Sequence, residues 1–387
     1  MTQPIGEAEF VRRCATLAAL LSQQAEEAEA LRRLPDATLD AARDADLLQA
    51  VVATSLGGHG LGLSALAQGT RVMGQACPAS AWTLSFLMLH GWLLSRFPAE
   101  GRDELFADGP VALAPAPLAP TGTVEVAPGG YRLTGRWEWA TGVEHSEWVM
   151  VHAVQTEPEF TTRFLVVPRS EVSVEDVWFT SGMCATGSNT VQIEDRFVPS
   201  HRAIPATDLL FGAEPLDGDG LARHPVPPVL ALVAAAPALG AAEAAVDLFR
   251  DRLHERVLAY SLGDRQGDQP AAQVRLATAM SDLAAARVRW DHSIAALVES
   301  CVDGEPTEEL RVATRLAAAA TVRASRSVIN TVCEGAGASV YRLSSPLQRL
   351  QRDVEVLKGH VIFDWDRTAE LAGRFALGQG LRPTDMV

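Results

Sequence analysis

The chain has 387 residues, 48% of them hydrophobic and 21% charged, with a formal net charge of −15. That composition excludes a disordered chain. The acidic balance excludes a nucleic-acid surface, which needs clustered Lys and Arg, and leaves a globular protein handling small neutral or modestly polar molecules. Residues 7–105 read as helix. Phe10, Cys14, Leu17 and Leu21 recur at helical spacing, and Asp36 is expected to N-cap a second helix. "LGGHGLGLS" (56–64) is a glycine-rich break, and two further helices follow, broken near Pro78. Residues 111–200 change to short β-rich runs, "YRLTGRWEWAT", "WVMVHAV", "RFLVVPR" and "TVQIEDRFV". "VALAPAPLAP" (111–120) is spaced by prolines and cannot be an inner strand along its length. The middle part is expected to be a small antiparallel barrel or sandwich.

Residues 226–380 return to helix. The stretches 229–262, 271–302, 307–336 and 346–378 each read as one rod of a four-helix bundle. The expected units are 1–109 (helical), 110–212 (β) and 213–387 (helical bundle), an α+β architecture. The longest apolar run, "PVLALVAAAPALGAA" (228–242), is too short to span a bilayer and carries Pro237 and Gly240, so it reads as a core helix. Cys14, Cys77, Cys184, Cys301 and Cys333 lie far apart without a CxxC or Cys/His cluster. No metal site is expected, and the pattern suits a reducing cytoplasm. "MTQPIGEAEF" shows no basic region followed by an apolar run, so no secretory signal and no membrane partner are expected. Within "RDVEVLKGH" (352–360), Asp353 and His360 stand seven residues apart, two turns on one helical face. Taken alone, such a histidine reads as a packed one.

Four stretches resemble the acyl-CoA dehydrogenase superfamily: "GMCATGSNTVQIEDRFVP" (182–199), "GGYRLTGRWEWATG" (129–142), "APALGAAEAAVDLFRDR" and "SPLQRLQRDVEVLKGH". The resemblance covers nearly the whole chain and implies an order of helical domain, β domain and four-helix bundle. Many of its dehydrogenases carry a catalytic glutamate about eight residues after the "RD" pair, to remove the α-proton of a thioester. Here His360 stands at that place and no "EGT" follows. A histidine there resembles the reduced-flavin-dependent monooxygenases of two-component systems, which include phenol and aromatic polyketide hydroxylases.

That resemblance implies reduced FMN or FAD delivered by a separate flavin reductase, O2 as co-substrate, a C4a-hydroperoxide, and hydroxylation of an aromatic small molecule. It implies a homotetramer or homodimer. The catalytic residues it implies are His360 as base or peroxide partner, His90 ("FLMLHGW") at the pocket wall, and Thr141 ("WATG") near flavin N5. For the cofactor it implies Trp139, Thr141, Gly142, the turn residues Thr186, Gly187 and Ser188, and for the phosphates Arg256, Gln273 and Arg349. Trp137 fits either the flavin wall or a strand core. Two departures stand out: Cys184 replaces the usual arginine, and alanine and proline replace a serine run at 112–120, which favours a larger, more apolar substrate. No GxGxxG follows a first strand, so a nicotinamide site is not expected. Amine N-oxygenation, acyl-CoA dehydrogenation with an unusual base, and a non-catalytic subunit are the rival readings.

Overall fold

The computed structural model describes residues 3–212, 214–259, 261–302, 304–382 and 384–387. The first part holds α1 (Glu7–Gln23), α2 (Ala25–Leu31), α3 (Asp36–Asp44), α4 (Leu63–Ala76), α5 (Pro78–Ser95) and α6 (Ala99–Leu105). Phe10, Cys14, Leu17 and Leu21 form the buried stripe of α1. Asp36 is the first residue of α3 and not its cap. Its carboxylate faces Arg33 at 2.5 Å instead. Every residue of α5 is buried, so this helix has no solvent-facing side and belongs to the core.

The middle part is one seven-stranded sheet: β1 (Gly122–Ala127), β2 (Gly130–Ala140), β3 (Trp148–Gln155), β4 (Thr161–Pro168), β5 (Ser173–Glu175), β6 (Asn189–Pro199) and β7 (Ala203–Pro205). Their order is β5-β6-β2-β1-β3-β4-β7. The expectation of a purely antiparallel barrel is corrected: β1 and β3 pair in parallel, through Gly122–Ala153 and Thr123–Val154, and the sheet is mixed. The segment 113–115 lies extended beside β3, its carbonyls accepting from the N–H groups of Trp148 and Met150 at 3.1 and 3.0 Å. Pro115 and Pro117 have no N–H, so the segment cannot complete a strand ladder. Trp137 is core. Its ring fills the space that Cβ atoms on Gly122 and Gly135 would occupy, and its indole N–H donates to His152 O at 2.7 Å.

The third part comprises α7 (Val226–Glu255), α8 (Pro270–Ser300), α9 (Glu308–Ala336), α10 (Pro346–Leu357) and α11 (Trp365–Ala376). Helices α7, α8 and α9 pack on one another, and α10 lies against α7 and α9. At thirty residues α7 is long enough to cross a bilayer, contrary to the length estimate from the apolar run alone. It is buried against α4, α5 and α9 as a core helix. The fourth rod (346–378) is broken. Helix α10 stops at Leu357, a 3₁₀ turn spans Val361–Phe363, and α11 starts after Asp364, whose carboxylate accepts the Arg367 N–H at 3.1 Å. His360 therefore sits beyond the helix, and the two-turn spacing from Asp353 does not align them. Gly359 and two consecutive N-caps, His360 and Asp364, account for the break.

Candidate active site

Helix α5 is the spine of the site. Trp82, Phe86 and His90 stand at i, i+4 and i+8, so one face carries three rings in a row. Trp82 and Phe86 are 4.6 Å apart between centroids, and Phe86 and His90 are 5.4 Å apart, edge to face. The His360 ring closes the other end of this ladder, 5.4 Å from Trp82 and 6.0 Å from Phe363. Two imidazoles thus bracket two aromatic side chains.

Hydrogen bonds fix the tautomer of each imidazole. His90 Nδ1 lies 2.7 Å from Ala114 O. A carbonyl only accepts, so Nδ1 carries the proton and Nε2 presents a lone pair. His360 is reversed: its Nδ1 accepts the Ile362 N–H at 3.3 Å, so the neutral ring presents an Nε2–H donor. Burial pushes both rings down to about 4; for His360 the Arg315 charge adds to it, while for His90 the Ala114 bond opposes it. Both are neutral at pH 7. The site accordingly holds one base and one donor, and neither changes charge between pH 6 and 9.

The adjacent face of α5 meets the sheet. Gly142 takes φ +72°, and a Cβ there would stand 3.2 Å from both Thr83 Cγ2 and Leu87 Cδ2. Its N–H donates to Thr186 O at 3.0 Å. Beside it runs a chain of hydroxyls. Thr186 Oγ1 donates to Met183 O at 2.9 Å, and Ser188 Oγ lies 2.8 Å from both Thr186 Oγ1 and Thr141 Oγ1. Each hydroxyl has one proton. Thr186 spends its own on the carbonyl, Ser188 must donate to Thr186, and Thr141 must donate to Ser188. The chain is polarised, and the Thr141 oxygen is left as an acceptor. Trp139, two residues before, is 60% exposed at φ +65°, where the β2–β6 register slips between Trp137 and Ala140. The bulge turns its indole outward while Trp137 stays in the core.

The turn 182–187 is held against α10. A Cβ on Gly182 would fall 2.2 Å from Arg352 O, so only glycine permits this approach. Asp353 is buried and accepts the Met183 N–H at 2.6 Å. Burial pushes its carboxyl up to about 7, against the Met183 bond. A raised folded-state pKa means that this group's contribution is fully present below about pH 4 and is lost as pH rises through 7. Asp353→Asn keeps the acceptor and removes the charge. Its thermal midpoint is expected to exceed that of the parent protein above pH 7, by about 2–4 kcal/mol of stability, and to match it near pH 4. Parallel melts at pH 4.5 and 8 decide it: a difference independent of pH would mean that the carboxyl is not the titrating group.

Residues 232–365 match the family model described as acyl-CoA dehydrogenase, C-terminal domain. A pigment production hydroxylase of a Rhodococcus species is 33% identical over 382 residues, covering 96% of this chain and 97% of that protein. The oxygenase component of an FADH2-dependent resorcinol hydroxylase from a Rhizobium species is 29% identical, over 95% and 94%. Among solved structures, XiaF from a Streptomyces species, in complex with FADH2 and glycerol, superposes with a TM-score of 0.91 at 30% identity, covering 98% and 97% of the two chains. The chain belongs to the reduced-flavin-dependent monooxygenases of the acyl-CoA dehydrogenase superfamily.

A flavin of this monooxygenase family needs a flat apolar wall and polar groups at its ring edge. The outward Trp139 indole, the free acceptor on Thr141 and the small turn Thr186-Gly187-Ser188 supply those groups beside one another, so the residues fit it. Cys184, in this turn, keeps its thiol on Thr180 O at 3.1 Å. Arg32 lies near this turn, 3.9 Å over the Phe179 ring and paired with Asp176.

Among the described residues, none of the remaining cofactor candidates makes a hydrogen bond to this cluster. The Arg256 guanidinium is bonded to Ala336 O and packs on Gly337 at the C-terminus of α9. Gln273 donates to Gly267 O at 2.9 Å and is exposed. Tyr260, four residues after Arg256, lies outside the described residues. Arg349 sits 3.8 Å from Glu26 and lines a cavity of about 280 Å³ with Gln75, Asp247 and Asp251. Sequence reasoning missed Trp82, Phe86, the Ala114 carbonyl and the bond from Met183 to Asp353. The i, i+4, i+8 spacing of Trp82, Phe86 and His90 was a readable signal; the carbonyl leaves no trace in side-chain identity.

Proposed function

We propose that this chain is the oxygenase component of a two-component monooxygenase that hydroxylates an aromatic, phenol-like small molecule. Reduced FMN or FAD comes from a separate flavin reductase, and O2 is the co-substrate. The bound reduced flavin supplies the electrons that activate oxygen. One observation carries the reading: where a dehydrogenase of this fold needs a carboxylate stands the neutral His360 imidazole, and it and His90, neutral and of opposite polarity, close the two ends of the Trp82–Phe86 ladder. Of the acids around His360 in sequence, Asp353 is engaged on Met183 N–H, Glu355 on Arg326 and Lys358, and Asp364 on Arg367 N–H. His90 acts as base toward the substrate hydroxyl through its bare Nε2, and His360 donates from Nε2–H. Thr141 accepts from the N–H of the reduced flavin ring. Trp82, Phe86 and Phe363 wall the ring of the substrate and exclude water. The segment 112–118 presents alanine, leucine and proline to the same region, which favours a larger apolar substrate.

We also propose the division 1–109, 110–212 and 213–387, with α7–α10 acting as a four-helix bundle, and cytoplasmic placement. Val274, Met280 and Val288 are exposed along α8, which supports assembly of copies through this face, as a tetramer or dimer. The phosphate roles of Arg256, Gln273 and Arg349 belong to that assembly, because their bonds within one copy lie away from the hydroxyl cluster.

The test supplies a flavin reductase, NADH, O2 and a panel of mono- to tetracyclic phenols. Products one oxygen heavier by mass support the reading. Reduction of a dye by an acyl-CoA without O2, with no oxygenated product, overturns it.

A further inference from the structure

We propose that Arg315 is a positioning residue for the His360 imidazole, acting through the two carbonyls that follow it in the chain. Arg315 lies on α9, distant in sequence, and is 7% exposed. Its Nε donates to Ile362 O at 2.9 Å and its Nη2 to Val361 O at 3.0 Å, while Nη1 donates to Met386 O at 3.0 Å. One guanidinium therefore holds the first two carbonyls of the 3₁₀ turn that His360 caps and ties them to the segment 384–387. That segment is itself clasped: Arg374 meets Asp385 at 2.6 Å, and Arg367 donates to Thr384 O at 2.9 Å.

The choice of residue is informative. Among the described residues no carboxylate lies within ion-pair distance of Arg315. A buried cation with no carboxylate in direct contact is costly, and three backbone carbonyls with the more distant Asp364 and Asp385 repay only part of that cost. Lysine reaches carbonyls as a point donor and cannot hold three in one plane. An apolar side chain would fill the space without the cost. What arginine adds is a fixed turn and a positive charge next to His360. Without the turn, the Ile362 N–H that sets the His360 tautomer is no longer aimed at Nδ1.

The charge has a second consequence of definite sign. A cation beside an imidazole disfavours its protonated form, so removing it raises the pH at which His360 charges. The groups around this pair are Asp364, Arg367 and Asp385, with Lys358 paired to Glu355 on α10, and Trp82 and Phe363 as apolar walls. The carboxylates act in the opposite sense to Arg315 and remain in the variants.

The role rests on the reading of His360 as a site residue, and the test keeps the two separable. Arg315→Met and Arg315→Lys are compared with the parent protein. Carbethoxylation of His360 by diethyl pyrocarbonate, read by peptide mass between pH 5 and 8, follows the neutral imidazole without any turnover. The parent rate is expected to be flat. In the Met variant it should fall at the acid end with a midpoint at least one unit higher, and in the Lys variant it should stay near the parent. Coupling, as product formed per reduced flavin oxidised, should drop on the order of ten-fold in the Met variant, with reduced-flavin binding retained. Where the Met variant does not fold, Arg315→Gln replaces it with the same expectations. An unchanged His360 titration together with unchanged coupling overturns the proposal. A changed titration in a protein whose His360→Ala variant turns over normally overturns the functional reading of His360 instead.

Discussion

Product formation by a His360→Ala protein is expected to fall by about two to three orders of magnitude, while reduced flavin is still bound and oxidised, releasing hydrogen peroxide. The ring is held from outside the helix, by the Ile362 N–H on Nδ1 and by the neighbouring rings of Trp82 and Phe363. Its loss removes the Nε2–H donor and leaves the hydroxyl chain at Thr141 untouched, so cofactor binding and turnover part company. His90→Ala should lose product to a similar extent for a different reason. It removes the lone pair that takes the substrate proton. A phenol already ionised in solution no longer needs that base, so the His90 variant should recover as pH approaches about 10, whereas the His360 variant should not. The parent protein should show no limb from either histidine between pH 6 and 9, since both titrate near 4. Equal recovery of both variants at high pH would overturn the division of roles. Undiminished product from His360→Ala would remove it from the site.

Gly182→Val should cost about 3–5 kcal/mol and weaken reduced-flavin binding at least ten-fold. The added Cβ would meet Arg352 O at 2.2 Å, Arg352 C at 2.4 Å and Asp353 N at 2.7 Å. All three are backbone atoms of α10 and cannot swing aside. The turn must lift off, and Met183 N–H then leaves Asp353 with both groups buried and unpaired. The hydroxyl chain ends on Met183 O, so Thr141 loses its fixed proton direction as well. Thermal melts and a titration with dithionite-reduced flavin check both effects. A variant that melts with the parent and binds flavin normally would mean the turn is free of α10.

Much of the fold was legible. The stripe Phe10, Cys14, Leu17, Leu21 and the break at Pro78 follow from periodicity and from proline's missing N–H, both local properties. The fourth rod misread because helical periodicity continues through "RDVEVLKGH". After α10 stops at Leu357, His360 and then Asp364 each fold a side chain back onto the backbone to start a new element, and such capping is decided by where the chain must go next. The single parallel pair β1–β3 is likewise a matter of which edges meet, and strand propensity carries no such information.

The sequence by itself determined the order helix, sheet, helix, the family, and the presence of a histidine, His360, seven residues after Asp353. It could not say what each histidine offers, because a ring's free atom depends on what occupies the other nitrogen. Tertiary structure decided that: a carbonyl from the proline-spaced segment claims His90 Nδ1, and a backbone N–H of a turn held by Arg315 claims His360 Nδ1. Both partners are main-chain groups, identical in every residue. Only their placement, fixed by packing from distant parts of the chain, turns two like imidazoles into a base and a donor.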